Sequence, residues 1–221
     1  MFFRNSINYS LILINSFFIL LLYTAYLMGW ANRVFESDSS YISYVIAVIF
    51  LVLWVFSLFI GSWVNKQLND LILNEGSQIY DDYSALLKKR FELPKNQNFD
   101  HSILASTLQV KLNLKIKIIS YVANLLILLG LIGTVIGFII AVGGLGDSLV
   151  GGQNLARVQT VLGQIVNGMG VALFTTLMGS IFGGIWLQLH YEILSSAIDR
   201  LVVLVIEKAE SELIPSIIKN K

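Results

Sequence analysis

The chain contains no cysteine. It therefore has no disulfide, no thiolate nucleophile and no cysteine-based metal site to offer. It has two prolines and two histidines in 221 residues. Few helices can be broken by proline, and His101 and His190 are too few and too far apart in sequence to form a metal site. Charge is scarce: Asp, Glu, Lys and Arg make up 13% of the chain, where about 25% is usual for soluble domains. Hydrophobic residues reach 56% and the mean hydropathy is +0.74. A chain of this size cannot bury so much apolar surface in one water-soluble core. Disorder is excluded, an ordinary soluble enzyme is disfavoured, and an integral membrane protein is expected.

What charge there is, is unevenly placed. No Lys, Arg, Asp or Glu occurs between Arg4 and Arg33, Asp38 and Lys66, Lys117 and Asp147, or Arg157 and Glu192; these gaps hold 28, 27, 29 and 34 residues. About 20 helical residues cross the hydrocarbon core of a bilayer. Each gap accommodates one crossing and none accommodates two. The expected fold is an all-α membrane protein with four transmembrane helices, near residues 9–30, 41–63, 118–145 and 160–190. Thirteen of the 15 basic residues fall in the two tails and the segment between helices two and three, and only Arg33 and Arg157 fall on the other side. The positive-inside rule then puts both termini and the middle segment of this multi-pass protein in the cytoplasm. A net charge of +1 carries no nucleic-acid footprint. The first apolar run is about twice a signal-peptide core and lacks a clear cleavage site, so it is expected to be retained.

Four regions follow. Residues 1–63 hold two peripheral spans, rich in Leu, Ile, Phe and Val, with Trp30, Tyr41 and Tyr44 placed for an aromatic belt. Residues 64–117 form a cytoplasmic helical segment. In it Leu68, Leu71, Ile72, Ile79, Tyr83, Leu86 and Leu87 recur at near-helical spacing, and Pro94 with residues 95–98 breaks the pattern. Asp100 is placed to cap a further amphipathic stretch carrying Ile103, Leu104 and Leu108. The Lys88-Lys89-Arg90 cluster reads as a solvated, headgroup-facing patch. Residues 118–190 hold the last two spans. Residues 191–221 form an amphipathic helix and tail, with Leu194, Ile198, Leu201 and Val205 on one face. No Pro or Gly interrupts the fourth helix between Gly184 and Pro215, so it is expected to run from the membrane into the cytoplasm, to about residue 213. Helices three and four are thus both expected to be long and to extend into the cytoplasm.

The last two spans carry small residues where the first two carry large ones. Gly130, Gly133 and Gly137 share a face of helix three. Gly168, Ala172, Thr175 or Thr176, Gly179 and Gly183 form a stripe on helix four. In lipid, where no hydrophobic drive joins helices, small residues let backbones approach closely. These positions are expected to make protein–protein contacts. Hydroxyls lie in both stripes: Thr134 on helix three, Thr175 and Thr176 on helix four. A threonine in a helix commonly bonds back to its own carbonyls. No span carries an Asp, Glu, Lys or Arg, and His190 lies at the cytoplasmic end of helix four. Carrying protons by titration requires a titratable group within the membrane, so a partner would have to bring the carboxylate. No phosphate loop, zinc motif, Ser-His-Asp set or dinucleotide fingerprint occurs, and no cofactor or enzymatic activity is expected.

The run Leu129-Gly130-Leu131-Ile132-Gly133-Thr134-Val135-Ile136-Gly137 resembles the third-helix motif of the MotA/TolQ/ExbB proton-channel superfamily. The run Gly168 to Gly179, with Ala172-Leu173 and Thr175-Thr176 before Gly179, resembles that family's last-helix motif. The resemblance implies a homopentamer whose last two helices line a central pore. It implies two single-span partners of the ExbD/TolR or MotB type, whose membrane Asp carries the proton. The family's channel threonines carry over to Thr134 and Thr176, with Thr175 a neighbour on the ion pathway; the glycine and alanine stripes carry over as the packing and pore face. The helix motifs look closer to TolQ and ExbB, while four spans look closer to MotA. The implied function is an ion-motive-force-driven proton-channel or motor subunit. The alternative is a non-conducting oligomeric scaffold. A small-solute transporter is disfavoured, since no internal repeat, broken helix or intramembrane charge is present.

Overall fold

The fold is all-helical. A computed structural model of the chain describes residues 6–73, 76–91, 101–149 and 155–219, and among these there is no strand. The elements are α1 (Ser6–Leu27), α2 (Trp30–Ser37), α3 (Ile42–Leu73), α4 (Gln78–Phe91), α5 (His101–Leu149) and α6 (Leu155–Gly179). A π-helical stretch, Ser180–Leu187, joins α6 directly to α7 (Gln188–Lys208). A second one, Ala209–Leu213, joins α7 to α8 (Ile214–Lys219). Four stretches are long and apolar enough to cross a membrane: Tyr9–Leu27, Ile42–Leu73, Ile103–Gly143 and Val158–Ile217. The chain is a multi-pass membrane protein, and each of the four uncharged gaps lies on one of these stretches.

Two features depart from the expected boundaries. The amphipathic stretch after residue 100 does not form a helix of its own. It is the first part of α5, a single helix of 49 residues and about 74 Å at 1.5 Å per residue. Pro94, residues 95–98 and Asp100 lie outside the described residues. The last helix continues past residue 213 to Lys219. Pro215 directly follows the π-helical turn Ala209–Leu213, where the regular ladder is already interrupted and the Ile214 N–H reaches back to the Ala209 carbonyl.

The described residues divide into two compact units. One comprises residues up to Leu13, Ser57–Ile118 and His190 onward. Its core takes Leu68 and Leu71 from α3, Ile79, Tyr83 and Leu87 from α4, and Leu112 and Ile116 from α5. Leu194, Ile198, Leu201 and Val205 of α7 are all fully buried there, so the amphipathic stripe is covered within the chain. Polar contacts tie α7 to its neighbours. Lys208 donates to the Leu71 carbonyl near the end of α3, at 3.4 Å, where a cation satisfies an open acceptor and the helix dipole. Its ammonium also lies over the Tyr80 ring, 5.0 Å from the centroid. Gln109 of α5 donates to Asp199 at 3.1 Å. The Lys88-Lys89-Arg90 cluster is exposed in the last turn of α4.

The other unit comprises Ile14–Phe56 and Ile119–Leu189. Its centre is aromatic. Phe18 of α1 stacks on Trp186 at 3.7 Å between ring centroids. It meets Phe50 of α3 edge-on at 5.7 Å, and Phe50 stacks on Phe182 at 4.4 Å. Trp54 donates its indole N–H to the Asn15 side chain at 2.7 Å, which satisfies a polar group where lipid offers no substitute. The π-helical stretch takes part in this packing: Phe182 and Gly183, and again Trp186 and Leu187, are buried as adjacent pairs.

Between α1 and α3 the chain turns at Gly29, whose φ of 72° lies in the left-handed region that glycine enters without a Cβ penalty. Then comes α2, and then a cap. Asp38 is buried; its carboxylate accepts from the Ser43 N–H at 2.6 Å and the Ser40 N–H at 2.9 Å. Burial alone would raise the Asp38 pKa. The hydrogen bonds from Ser40 and Ser43 outweigh it and hold the carboxyl below its ordinary value of 3.8. A carboxyl with a depressed folded-state pKa contributes stability above its unfolded pKa and loses it as pH falls through the folded value. Asp38→Ala should therefore cost about 1 kcal/mol, and at most about 2, near neutral pH. The difference from wild type should shrink as the pH falls through the folded-state value, which lies below 3.8. Unfolding in detergent micelles at pH 7 and pH 3 checks both points, and an equal deficit at the two pH values would count against the cap.

Candidate functional site

Helices α5 and α6 meet through their backbones. A Cβ added at Gly168 would lie 2.5 Å from both the Ala141 nitrogen and the Gly137 carbonyl oxygen. One added at Gly179 would lie 2.5 Å from the Leu126 carbonyl oxygen and 3.1 Å from the Gly130 Cα. One at Gly183 would lie 2.5 Å from the Ala123 carbonyl oxygen. At Gly137 the collision is with Ala172 and with the Gly168 carbonyl, and at Gly133 with the Thr175 side chain. The obstacles are mostly backbone, which cannot swing aside. The stripes Gly130, Gly133, Gly137 and Gly168, Ala172, Gly179, Gly183 therefore face each other inside one chain, as close packing of helices in lipid requires.

The three threonines part company at this seam. Thr175 is fully buried. Its hydroxyl donates back to the Val171 carbonyl at 2.8 Å, and its side chain occupies the space that Gly133 leaves. Thr134 and Thr176 lie at the seam's edge, half-buried, with their hydroxyl oxygens 3.3 Å apart. The Thr176 hydroxyl donates across the helices to the Gly130 carbonyl at 3.1 Å. That carbonyl is reachable because Gly130 has no side chain. The Thr134 hydroxyl donates to its own helix, to the Leu131 carbonyl at 2.6 Å.

Each hydroxyl has one proton and two lone pairs. With both protons directed at backbone carbonyls, the lone pairs can accept from water or from a carboxylic acid. A rotation of either hydroxyl lets it donate to a carboxylate. The pair serves either protonation state of a visiting carboxyl and is itself uncharged. Its surroundings are apolar and open: Leu131, Val135 and Phe138 of α5 are 51%, 61% and 68% exposed, and Leu173 of α6 is 66% exposed. A side chain approaching this face would meet hydrocarbon everywhere except at the two hydroxyls.

Other polar groups could not be anticipated from the sequence. Ser57 of α3 and His190 of α7 are both fully buried, and the serine hydroxyl lies 2.8 Å from the histidine Nδ1. They are 133 positions apart, and neither stands in a recognisable motif. Lys115 of α5 lies over the Trp63 ring, 3.9 Å from its centroid. Among the described residues no three acidic or histidine side chains converge as metal ligands.

A family model, the MotA/TolQ/ExbB proton channel family, matches residues 81–206, more than half of the chain. The match runs from the first turn of α4 to near the end of α7 and contains the whole glycine seam. No curated protein and no solved structure matches the chain.

The seam makes a contrast between two glycines testable. Gly168→Leu forces a side chain into backbone and should destabilise the protein by about 3 kcal/mol or more, at or beyond the upper end of ordinary overpacking. Gly143 has nothing within 4 Å of the corresponding position, so Gly143→Leu should leave stability unchanged or slightly raised. Tryptophan fluorescence during thermal unfolding in detergent distinguishes them; equal melting temperatures would refute the contact.

Proposed function

Because the chain belongs to the MotA/TolQ/ExbB proton channel family, we propose that it is the channel-forming subunit of a machine driven by an ion-motive force. In this reading five copies surround two copies of a single-span ExbD/TolR/MotB-like partner, and the partner's membrane Asp carries the proton. The complex sits in a bacterial inner membrane with both termini of this chain in the cytoplasm. The observation that carries the reading is the Thr134–Thr176 pair: two hydroxyls 3.3 Å apart, set in an exposed apolar face, in a chain whose spans contain no charge of their own.

The mechanism follows from what that face tolerates. An ionised carboxylate is costly in an apolar setting and needs donors. Thr134 and Thr176 supply them by turning their hydroxyls outward. Once protonated, the carboxyl is neutral and can leave the hydroxyls to slide along Leu131, Val135, Phe138 and Leu173. Loss of the proton on the other side of the membrane returns it to a hydroxyl pair, that of the next subunit. Each proton moved across 100 mV releases about 2.3 kcal/mol, enough to bias such steps in one direction. Thr175 belongs, on this reading, to the packing of the seam and not to the path, since its hydroxyl is committed to Val171. The non-conducting scaffold reading uses the small-residue stripes only for packing, and their engagement within the chain fits either reading; the Thr134–Thr176 pair is what favours the conducting one.

The test is proton flux into vesicles containing the chain with its single-span partner. A hydrogen bond to a charged group contributes about 1.5–3 kcal/mol, so Thr134→Val and Thr176→Val should each lower flux by about 10- to 100-fold. Thr175→Val should stay close to wild type. Normal flux in both the Thr134 and Thr176 variants would rule out the assigned roles.

A further inference from the structure

A cavity of about 430 Å3 opens in the unit built from Ile14–Phe56 and Ile119–Leu189. Its volume lies within the range of about 300–1,000 Å3 typical of small-molecule sites. Its walls come from α1, α2, α3, the last turn of α6 and the π-helical stretch, through residues such as Leu22, Ala25, Val34, Ala47, Met178 and Phe182. Almost no polar surface lines it. The Thr24 hydroxyl, on its wall, already donates to the Leu21 carbonyl at 2.8 Å.

These walls decide the chemistry of the occupant. Water needs two to four polar partners, and an apolar cavity stays dry. A polar ligand would lose its hydrogen bonds without replacement. An empty space of this size would forfeit dispersion contacts along every wall. The material that surrounds membrane helices and requires no hydrogen bond is a hydrocarbon chain.

One helix of the cavity wall also carries a positive charge, on Arg33. Helix α2 is amphipathic: Val34 is buried and lines the cavity with Ala31 and Phe35, while Asn32, Arg33 and Glu36 are exposed. Such a helix suits the plane of a membrane interface. Trp30, also on the cavity wall and 58% exposed, is a residue type concentrated at that level. Arg33 is the only basic residue between the first two spans, and its guanidinium matches a phosphate in geometry as well as in charge.

We propose that this cavity binds one acyl chain of a phospholipid whose phosphodiester is held by Arg33. The bound lipid is then a structural component that fills the space between α2 and the spans beneath it. Occupancy requires only that the chain cross a bilayer; ion conduction is not involved.

The full chain is reconstituted in vesicles of phosphatidylethanolamine and phosphatidylglycerol, with a trace of phosphatidylglycerol carrying a diazirine on one acyl chain. After irradiation, adducts are mapped by mass spectrometry. Adducts should concentrate on peptides containing Ala25, Ala47 and Met178. Ala47→Phe and Ala25→Phe, which fill the cavity, should reduce these adducts to the level of the exposed face of α1. Val48→Phe, on the neighbouring exposed position of α3, should leave them unchanged, which controls for folding and reconstitution. Arg33→Gln should lower them about tenfold, the factor that one charge-assisted contact readily supplies. Adducts spread evenly over the exposed faces of all spans would overturn the site. So would a disulfide between two copies of Met28→Cys, or a photo-crosslink from the cavity to a co-reconstituted single-span partner, because a protein would then occupy the space. The chain has no native cysteine, so the disulfide is unambiguous.

Discussion

The backbones of α5 and α6 touch, and much of the second unit depends on that contact. Lipid tails are as apolar as leucine, so nothing drives helices together by excluding solvent. What remains is dispersion, which rewards only atoms in close contact. Glycine at 137, 168, 179 and 183 removes the side chains that would hold the two helices apart. The polar chemistry is a consequence of this. Gly130 exposes its carbonyl to the Thr176 hydroxyl, and the same approach brings Thr134 and Thr176 within 3.3 Å. The hydroxyl pair is not a separate device added to the seam. It exists because the seam is closed.

The aromatic cluster solves the same problem for the outer helices by the opposite means. Phe18, Phe50, Trp54, Phe182 and Trp186 fill space with large flat groups that stack and meet edge-on. Rings offer many atoms per contact and few rotatable bonds to immobilise. The π-helical stretch lies where the two solutions meet. Gly183 serves the seam with Ala123, while Phe182 and Trp186 serve the cluster. Neighbouring residues of one helical stretch thus serve both, and Phe182–Gly183 and Trp186–Leu187 are buried as pairs.

The sequence made the spans and the seam legible for physical reasons. Charge is so expensive in hydrocarbon that its absence over 27 to 34 residues marks each crossing. Glycine runs at helical spacing have few explanations other than close approach. The stripe Leu194, Ile198, Leu201, Val205 was equally plain, because period and burial coincide. Other features left no such trace. α2 has eight residues, too few for a period to emerge, and Asp38 reads as a loop acid until Ser40 and Ser43 are seen to donate to it. The Ser57–His190 contact joins positions 133 apart. The length of α5 was legible only in part: an amphipathic pattern passes into a uniformly apolar one within a single helix, so its extension beyond the membrane could be expected but its start at residue 101 could not.

A neutral pair of hydroxyls is better suited than a charge to the role proposed for Thr134 and Thr176. A fixed Lys or Arg would hold an ionised carboxylate too firmly to let it go, and would itself be costly in the membrane. A fixed Asp or Glu would repel it. A hydroxyl donates to the ionised form and accepts from the neutral one, so it discriminates weakly between them; the discrimination comes from the hydrocarbon around it. Leu131, Val135, Phe138 and Leu173 penalise the ionised carboxyl everywhere else on the face and scarcely affect the neutral one. Position and charge become linked: the carboxyl rests at the hydroxyls when ionised and moves when protonated. In the proposed role, movement is tied to proton uptake without an Asp, Glu, Lys or Arg in the spans of this chain. On this account the apolar residues beside the threonines are as much a part of the coupling as the threonines themselves.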